Sequence, residues 1–485
     1  MNERARYIES VESEVRDYYD GLAPNYSRWV KRYKYYYRRK SRVLRHLFPI
    51  PGRVLEIGCG LGQNLAGMNP EYGLGIDCSG RIIEEAQKRF PKSDYPNLEF
   101  RCMSAMDVGK INEKFDTIIL VNTITEIPEL IDLFREIQQL CTPSTRVMQL
   151  TYNYVLAPLV KLAGMLGIAP RHPTQNWLTR TDLENIVKLA GFETVREGYD
   201  LIVPFGVPLF ADLINRFVPL IPGLKYLAMF YFTVMRPSVP RGKVNDFSVS
   251  VCVPCKNEEG NIAGLVERIP EMGCGTEIIF VDDQSTDATA QEVNMQIAKH
   301  PEKSFTLVKG PGKGKGAACR AGFARAQNDI LMILDADMTV MPEDLPQFFE
   351  ALVAGKGEFI NGSRLVYPLE NDAMKYANII GNKLFGLAFS FLLSQRLKDT
   401  LCGTKVIWRK DYEKILESRA HFSEVDMWGD YDWIFGAARH NLQIAELPVH
   451  YRMRVEGETK MTKRFRNAWV MLKMCNVAFW KVKLL

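Results

Sequence analysis

The stretch Ile330-Leu-Met-Ile-Leu-Asp-Ala-Asp337 decides how this chain of 485 residues is interpreted. Its five apolar residues predict a buried parallel strand, and its two aspartates follow at the carboxyl end of that strand. Ligands of α/β proteins bind at this edge of the sheet. Carboxylates at this spacing supply the hard oxygen ligands that Mg²⁺ and Mn²⁺ prefer, and such ions commonly hold a diphosphate. Because an isolated Asp-x-Asp also occurs in solvated turns, the neighbouring motifs must decide between the two interpretations.

The composition is that of a globular protein with two or three domains, since 47% of the residues are hydrophobic and 25% are charged. A net charge of +5 over this length is too small to indicate a nucleic-acid partner. Ten cysteines lie scattered in apolar stretches, which predicts reduced thiols in the cytoplasm. The motif Cys252-Val-Pro-Cys255 lies along a predicted strand and not at a helix start, which argues against a redox role.

No segment has the pattern of a membrane span, and the charged N-terminus lacks the apolar core of a signal peptide. The most apolar candidate, Phe217–Met235, contains Lys225 and is interrupted by Pro219 and Pro222. Its end is rich in strand-forming residues, which predicts a closing β-strand. We therefore expect a protein without a transmembrane helix.

Two separate α/β patterns occupy about residues 40–236 and 247–460, and each alternates predicted strands with helices. The segment Arg236-Pro-Ser-Val-Pro-Arg-Gly-Lys243 between them has the prolines, glycine and charges of a linker. The predicted fold class is therefore α/β, with two domains that each contain a mostly parallel sheet. The predicted division is a first domain at 1–236, a linker at 237–246, a second domain at 247–462 and an amphipathic C-terminal helix at 463–485.

The first domain contains a glycine-rich turn between a predicted strand and a helix, in Arg53-Val-Leu-Glu-Ile-Gly-Cys-Gly-Leu-Gly-Gln-Asn64. The glycines allow a ligand to approach the backbone closely at a helix N-terminus. A second predicted strand ends in Asp77, where an acid can bind ribose hydroxyls. Further strands are predicted at Phe115–Val121 and Arg146–Leu150.

This ordered set resembles the class I S-adenosylmethionine-dependent methyltransferases, and the resemblance covers most of residues 12–236. It implies a Rossmann-like sheet and S-adenosyl-L-methionine as the cofactor. Glu56 occupies a position where a dehydrogenase loop would have glycine, which disfavours a nicotinamide cofactor. Tyr18–Tyr26 resembles the N-terminal lid of the family. The cofactor-binding residues implied are Glu56, Gly58, Gly60, Gly62, Asp77, Ser104 and Asn122.

Two positions depart from the family pattern. Ser104 stands where an adenine-binding aspartate is common, and Thr125-Glu126 stands where a Glu-His pair is usual. These departures leave cofactor binding expected but leave the catalytic base unassigned. A third segment, Lys31–Arg42, mixes cations with tyrosines, which suits binding to nucleic acid or lipid phosphate. The simpler interpretation is a solvated helix whose tyrosines pack on the domain.

The second domain repeats the arrangement of strands that end in polar turns. A strand within Phe247–Glu259 ends at Pro254, and the next, within Glu277–Thr289, ends in Asp282 and Asp283. The glycine-lysine run Gly310-Pro-Gly-Lys-Gly-Lys-Gly-Ala317 follows. It is not a P-loop, because no serine or threonine follows Gly-Lys.

This order of motifs resembles family 2 glycosyltransferases with the GT-A fold, and more narrowly the polyprenyl-phosphate sugar transferases related to dolichol-phosphate mannose synthase. The resemblance covers about residues 247–462 and implies a nucleotide-sugar donor. Lys256 replaces a usual aromatic residue, and Thr339 replaces a glutamine that some relatives have. The donor-binding residues implied are Pro254, Lys256, Glu258, Asp283, Lys313, Asp335, Ala336 and Asp337. Asp335 and Asp337 are implied to hold Mg²⁺ or Mn²⁺.

Family 2 enzymes of this kind imply a single in-line displacement with inversion, in which cations neutralise the leaving nucleoside diphosphate. Asp399–Lys405 matches the stretch that shapes the acceptor site. A lipid-phosphate acceptor needs no strong base, whereas a hydroxyl acceptor does. Asp430 and Asp432 are the candidates for that base, and helix capping or substrate shaping is the alternative. The predicted catalytic residues are Asp335, Asp337, Arg364, Asp430, Asp432, Arg454 and Lys460.

Two apolar segments, Ala377–Leu393 and Arg464–Leu485, predict helices that either lie in a membrane interface or dock on the domain. Together the motifs predict a bifunctional cytoplasmic enzyme, peripheral at the inner face of the membrane. It would transfer sugar to polyprenyl phosphate or a related lipid or glycolipid acceptor, and methylate a component of the same pathway. The alternatives are a hydroxyl acceptor for the sugar and a methyltransferase half that serves only as a binding module.

Overall fold

A computed structural model describes residues 3–484 except 171–175, 177, 208–209, 368–375, 423–429 and 453–463, and it leaves out the side chains of residues 3, 5, 376–378, 421, 430, 464 and 465. The chain forms two compact α/β units that divide between Val239 and Pro240. This division falls within the segment 237–246 that the sequence suggests as a linker.

The first unit is built on a seven-stranded sheet. Its strands are β1 (Arg53–Ile57), β2 (Tyr72–Asp77), β3 (Leu98–Cys102), β4 (Phe115–Val121), β5 (Cys141–Tyr152), β6 (Phe192–Asp200) and β7 (Phe230–Pro237). The strand order is β3-β2-β1-β4-β5-β7-β6. Neighbouring strands are parallel from β3 to β5, whereas β7 is antiparallel to both β5 and β6. The predicted closing strand near Ala228–Met235 is therefore confirmed as β7.

Helices cover both faces of this sheet. The side chains of β1 alternate between the two faces and are buried on each. Leu55 packs in one apolar cluster with Phe134, and Val54 packs in another with Val43 and Leu65. The helices are α1 (Glu3–Arg32), α2 (Lys34–Leu47), α3 (Gln63–Met68), α4 (Gly80–Arg89), α5 (Leu130–Gln139), α6 (Ala157–Met165), α7 (Arg180–Leu189) and α8 (Phe210–Phe217). Short 3-10 helices span Ala105–Lys110, Ile124–Glu126, Tyr154–Leu156, Val218–Leu220 and Leu224–Leu227.

The second unit has its own seven-stranded sheet. Its strands are β8 (Val249–Cys255), β9 (Thr276–Asp282), β10 (Ser304–Lys309), β11 (Ile330–Ile333), β12 (Phe359–Ser363), β13 (Lys405–Trp408) and β14 (Ile444–Pro448). The order is β10-β9-β8-β11-β13-β12-β14, and β13 is antiparallel to both of its neighbours. The predicted buried strand is confirmed as β11, whose four side chains are all buried and which pairs in parallel with β8.

The helices of the second unit are α9 (Glu259–Arg268), α10 (Thr289–Lys299), α11 (Lys315–Phe323), α12 (Leu345–Val353), α13 (Tyr376–Leu393), α14 (Arg409–Ser418), α15 (Asp430–Arg439) and α16 (Arg464–Ala478). Short 3-10 helices span Val244–Asp246, Pro342–Asp344 and Arg419–His421, and a π-helical turn spans Phe479–Lys483. The α16 helix docks on the core through Met471 and Met474, while Trp469 and Leu472 remain exposed. The helical segments predicted near α13 and α16 are thus confirmed. No helix in the described parts of the chain is long and apolar enough to cross a membrane.

Candidate functional sites

The turn after β1 depends on glycine at two places. Gly58 and Gly60 have φ angles of +71° and +52°, a region that other residues avoid. A Cβ atom on Gly58 would also overlap the hydroxyl of Thr123, which donates a 2.9 Å hydrogen bond to the Ile57 carbonyl. The chain therefore passes close beneath the end of β4, and the turn opens towards the carboxyl edge of the sheet.

Glu56 supports this turn from behind. Its carboxylate accepts hydrogen bonds from Asn64 Nδ2 at 2.9 Å and from the Leu65 N–H at 3.1 Å, so it fixes the first turn of α3. Burial raises the pKa of Glu56 to about 7. Glu56 and Gly62 were both expected to bind cofactor, but neither is among the residues that line the adjoining cavity. Their positions indicate that they shape the loop.

A cavity of about 590 Å³ lies at the carboxyl ends of β1, β2 and β4. It is lined by residues of the glycine-rich turn and by tyrosines from α1 and α2. The predicted cofactor-binding residues that line it are Gly58, Gly60, Asp77, Ser104 and Asn122. The structure therefore brings five of the seven predicted residues to one cavity.

Asp77 lies at the end of β2 and links two turns. It accepts hydrogen bonds from the N–H groups of Gly60 at 3.0 Å and Ser79 at 3.1 Å. Burial raises the pKa of Asp77 to about 6, although these two bonds oppose the rise. An anchored carboxylate at this position suits the recognition of ribose hydroxyls.

Glu12 was missed by the sequence reasoning. It lies on α1 and lines the cavity, and its carboxylate accepts a hydrogen bond from the Ser104 hydroxyl. An acid from another part of the chain therefore stands beside the position where the family pattern has an aspartate. In the sequence, Glu12 is only an acidic residue shortly before the segment Tyr18–Tyr26, and this signal is too weak to identify a binding residue.

Several polar atoms in the cavity wall have no hydrogen-bond partner among the described residues. These are buried amide oxygens on Gln63, Asn64 and Asn122, all of which line the cavity. Buried acceptors without donors are costly, which indicates that a ligand satisfies them. S-adenosylmethionine fits this set, since it carries an ammonium group as a donor, a ribose for Asp77 and an adenine amino group for Glu12.

The remaining wall of the cavity is aromatic. Tyr19 donates a 2.9 Å hydrogen bond to Glu126, and Tyr36 connects Asn122 to Tyr152 through bonds of 3.0 and 2.9 Å. Glu126 belongs to the pair that replaces the family's Glu-His, and the structure places it in the cavity, where it could accept a proton.

The tyrosines of the predicted basic segment also contribute to this wall. Tyr33, Tyr36 and Tyr37 line the cavity rather than only packing on the domain. Lys40 lies over the rings of Tyr36 and Tyr37 at 4.9 and 4.7 Å, and burial lowers its pKa to about 8.

In the second unit, Asp335 and Asp337 follow β11 directly and face different partners. Lys315, the first residue of α11, forms an ion pair with Asp335 at 2.6 Å. Burial alone would raise the pKa of Asp335, but Lys315, with Lys405 and Arg364, lowers it below its usual value. The 2.6 Å distance shows that Lys315 and Asp335 form an ion pair at the position where a metal ion was expected.

Asp337 is buried and held by its own turn. It accepts hydrogen bonds from the N–H of Thr339 at 3.2 Å and from its hydroxyl at 2.8 Å. Ala336 between the two aspartates is buried too. Thr339, noted as a departure from the family pattern, therefore orients the second aspartate.

Arg364 follows β12, and its guanidinium makes a bidentate pair with Asp399 at 2.7 and 2.8 Å. Burial would raise the pKa of Asp399, but Arg364 lowers it to about 2. Asn382 donates a further 2.8 Å bond to the same carboxylate. Arg364 is thus rigidly held near Asp335, and the catalytic role implied for it stays a prediction.

Asp283 organises the glycine-lysine run. Its carboxylate accepts hydrogen bonds from the N–H groups of Gly312 at 2.6 Å and Gly314 at 3.0 Å. The other predicted donor-binding residues surround the ends of β8 and β10: Pro254 is half-buried, Glu258 is buried and bonded to Asn261, and Lys256 and Lys313 are exposed.

Asp432, one candidate base, is held by two arginines. Arg419 donates to it at 2.8 Å and Arg320 at 3.5 Å. A carboxylate paired in this way is better suited to shaping the site than to accepting a proton. The side chain of Asp430 and the residues Arg454 and Lys460 lie outside the described part of the structure.

The two aspartates are suitable for a divalent ion, although the described residues contain no cluster of three or more His, Cys, Asp or Glu side chains that could hold one. Mg²⁺ is commonly bound by one or two carboxylates together with water and substrate phosphates. Asp335 and Asp337 supply that minimum. Lys315 occupies one oxygen of Asp335, so an ion that binds this oxygen would displace it.

Comparison with protein families assigns a class to each unit. Residues 29–197 match the model of a methyltransferase domain, and residues 250–416 match that of glycosyl transferase family 2. The chain belongs to glycosyl transferase family 2 through its second unit, which is fused to a methyltransferase domain. The predicted fold class and both resemblances are confirmed.

Two curated relatives match the second unit. Dolichol-phosphate mannosyltransferase of Saccharomyces cerevisiae is 37% identical over 224 residues, which cover 44% of this chain and 80% of the yeast protein. Dolichol-phosphate mannosyltransferase of Pyrococcus furiosus is 29% identical over 221 residues. That match covers 44% of this chain, and the chain spans only 59% of the length of the Pyrococcus enzyme.

Among solved structures, magnesium protoporphyrin IX methyltransferase of Synechocystis with bound SAH is similar to the first unit. It is 16% identical, with a TM-score of 0.34, over 47% of this chain and 100% of that one. This similarity is low, and the methyltransferase fold is supported by the strand order and by the family match.

The position of Glu12 leads to a first prediction. We expect Glu12→Gln to weaken S-adenosylmethionine binding about tenfold, because a hydrogen bond to a charged group contributes roughly 1.5–3 kcal/mol. Isothermal titration calorimetry with the full chain would measure this. Glu9→Gln, an exposed acid on the same helix, is the matched control. An unchanged dissociation constant for Glu12→Gln at an unchanged melting temperature would contradict the assignment.

The Lys315–Asp335 pair leads to a second prediction. We expect Lys315→Ala to bind Mn²⁺ more tightly, by about threefold to tenfold, because the ion no longer displaces a cation from Asp335. Electron paramagnetic resonance of free Mn²⁺ would measure the binding. Lys313→Ala, an exposed cation in the same loop, should leave the affinity unchanged. Equal or weaker binding by Lys315→Ala would show that the pair does not compete with metal.

Proposed function

We propose that the chain is a bifunctional enzyme. Its second unit transfers a sugar from a nucleotide-sugar to polyprenyl phosphate or a related lipid acceptor, and its first unit methylates a component of the same pathway. The observation that carries the first activity is the Asp335-Ala336-Asp337 turn at the end of β11, with Lys315, Lys405 and Arg364 lowering the pKa of Asp335. Carboxylates for a metal and cations for phosphate then occupy one edge of the sheet.

The sugar transfer that we propose is a single displacement. The acceptor oxygen forms a bond to the anomeric carbon as the bond from that carbon to the diphosphate oxygen breaks, so the configuration inverts. Asp335 and Asp337 would hold Mg²⁺ or Mn²⁺, which supplies positive charge for the departing diphosphate. Lys315, once displaced from Asp335, would be available to the same phosphates, and Arg454 and Lys460 would add further positive charge.

A phosphate acceptor is favoured over a hydroxyl acceptor. An anionic phosphate oxygen attacks without a base, and Asp432 is engaged by two arginines. The names of related proteins support this choice, since they include a dolichol-phosphate mannosyltransferase, an undecaprenyl-phosphate 4-deoxy-4-formamido-L-arabinose transferase and a polyprenol monophosphomannose synthase. The runner-up is a hydroxyl acceptor in glycolipid or polysaccharide assembly.

The methyl transfer that we propose uses the cavity of the first unit. Gln63, Asn64, Asn122, Asp77 and Glu12 would hold S-adenosylmethionine, which supplies the methyl group. The acceptor would lie between the tyrosines, and Glu126, which accepts a hydrogen bond from Tyr19, would take its proton. A non-catalytic module remains the alternative. Calorimetric binding of the cofactor, without methyl transfer to any cellular lipid or nucleotide-sugar, would support the module.

Membrane association is a further part of the proposal. In the second unit, α13 exposes Ile380, Leu384 and Leu387, and α16 exposes Trp469 and Leu472. Apolar residues of this kind beside cations suit a helix lying at an interface. We propose that the enzyme acts at the inner face of a membrane, where its lipid acceptor resides.

The twin aspartates provide a direct test of the glycosyl transfer. The full chain would be incubated with a panel of nucleotide-sugars, Mg²⁺ or Mn²⁺ and short polyprenyl phosphates, and released nucleoside diphosphate would be measured by mass spectrometry. We expect Asp335→Asn/Asp337→Asn to lose at least about a hundredfold in rate, because the charge on the leaving group is no longer neutralised. Cofactor binding by the first unit should persist as the control for folding. Full activity in this variant, or after chelation, would refute the metal site.

Asp432 distinguishes the two acceptors. If a lipid phosphate attacks, Asp432→Asn should reduce the rate on polyprenyl phosphate by less than about threefold, whereas loss of a true base costs about a hundredfold or more. The rate would be measured at saturating donor, with the melting temperature as a folding control. A hundredfold loss in a variant that melts normally would show that the transfer depends on Asp432 and would contradict attack by phosphate without a base.

A further inference from the structure

Two segments of the first unit, here called the inserts, line the cavity with side chains that are also exposed, such as Leu159 at 61% and Phe205 at 56%, which indicates that the cavity opens there. Residues 153–170 follow β5, and residues 201–229 connect β6 to β7. Both contribute apolar lining, including Leu159, Val160, Ile202 and Phe205. Tyr33 donates a hydrogen bond to the Ile168 carbonyl, which joins the first insert to the helices that carry the tyrosine wall. The polar cofactor end of the cavity thus continues into an apolar entrance.

The outer sides of both inserts are also apolar and exposed. The α6 helix has only Gly164 buried among its described residues, so its leucines and methionine are largely in solvent. The α8 helix likewise has two exposed apolar side chains. The members of this apolar rim include Leu162, Met165, Leu166, Phe210, Leu213 and Leu227. Exposed patches of this kind on a folded protein mark surfaces that bind other apolar matter.

Positive charge adjoins the apolar rim. The two inserts contain three lysines and arginines, Lys161, Arg216 and Lys225, and a single acid, Asp212. That acid accepts a 2.9 Å hydrogen bond from Tyr35 and lies 3.7 Å from Arg42, both on α2. Arg42 therefore lies beside α8, and Lys34, Arg38 and Arg45 are further exposed cations of the same helix.

Apolar side chains with a border of cations match the surface of an anionic membrane. The side chains enter the headgroup boundary while the cations pair with lipid phosphates, each contributing about 1 kcal/mol. The same apolar side chains are unfavourable in water, because every Å² of apolar area left in water costs roughly 25 cal/mol. Leu227 belongs both to the rim and to the cavity lining, so a molecule anchored in the membrane could enter the cavity without leaving the membrane.

We propose that the apolar rim docks on an anionic lipid surface and that the cavity receives a lipid-anchored methyl acceptor through it. The identity of the acceptor rests on the methyl transfer proposed above, whereas the docking does not. The acceptor's apolar chain lies against Leu159, Phe205 and Leu227, and its polar head reaches Glu126. Its nucleophilic atom takes the methyl group, the carbon–sulfur bonding pair returns to the sulfur of the cofactor, and the proton of the acceptor passes to Glu126.

Segment-resolved hydrogen–deuterium exchange tests the docking, because α13 and α16 could hold the whole chain on vesicles by themselves. The full chain would be mixed with phosphatidylcholine vesicles, with and without phosphatidylglycerol. We expect protection of α6 and α8 that increases with the anionic lipid, and no change in α7. Absence of protection at α6 and α8 on anionic vesicles would overturn the docking.

A matched pair of variants sharpens the result. Leu166 and Leu189 both lie at the C-terminal end of a helix and are 65% and 67% exposed, but only Leu166 belongs to the apolar rim. We expect Leu166→Asp to require about tenfold more lipid for protection of α6, and Leu189→Asp to behave as wild type. Equal effects of the two variants would contradict the assignment of the rim. Vesicle-free, concentration-dependent protection of α6 would identify a second copy of the chain as the occupant instead.

Methyl-transfer assays separate this inference from the proposed function. With labelled S-adenosylmethionine, we expect the label in the lipid extract of vesicles containing membrane lipids, at a rate that Leu166→Asp lowers about tenfold. Label in a water-soluble nucleotide-sugar, at a rate unaffected by Leu166→Asp, would overturn the lipid acceptor while leaving the methyltransferase intact. Failure of both cofactor binding and transfer, with α6 still protected by vesicles, would overturn the proposed function but not the docking.

Discussion

A carboxylate at the end of a buried parallel strand must be satisfied by the turns around it, and both units are organised by this requirement. Asp77 after β2 accepts two backbone N–H groups, one of them from the glycine turn that follows β1. Asp283 after β9 accepts two as well, both from the glycine-lysine run. The same device thus shapes two unrelated sites: an acid from one strand fixes a glycine loop beside the neighbouring strand, and the loop is left facing a ligand.

Arginine and lysine complete this arrangement in the second unit. Arg364 and Asp399 form a bidentate pair that fixes the guanidinium in one orientation, while Lys315 reaches Asp335 through a flexible chain. The rigid pair suits a structural scaffold beside Asp335. The flexible pair suits a place where charge must be exchanged, because a lysine can move aside at a small cost when a stronger cation arrives.

The sequence predicted those features that depend on local patterns. Apolar runs followed by glycines and acids located β1, β2, β9 and β11 and the acids at their ends, and the order of motifs predicted both fold classes. It did not predict contacts that cross the chain. Glu12 meets Ser104 across 92 positions, and no local signal connects them. The sequence also did not predict that Glu56 supports the glycine turn instead of lining the cavity, because a motif shows that an acid is needed but not which way its side chain faces.

One glycine has a practical meaning for genetics. A Cβ atom at Gly403 would occupy the place of the Asp335 carboxylate, with Lys315 also close by. An alanine there would remove no charge and no hydrogen-bonding side chain, yet it would push the first aspartate out of position. Such an allele would disturb the proposed sugar-transfer site of the second unit and leave the first unit unchanged, so the contribution of each half to a cell's phenotype could be determined separately.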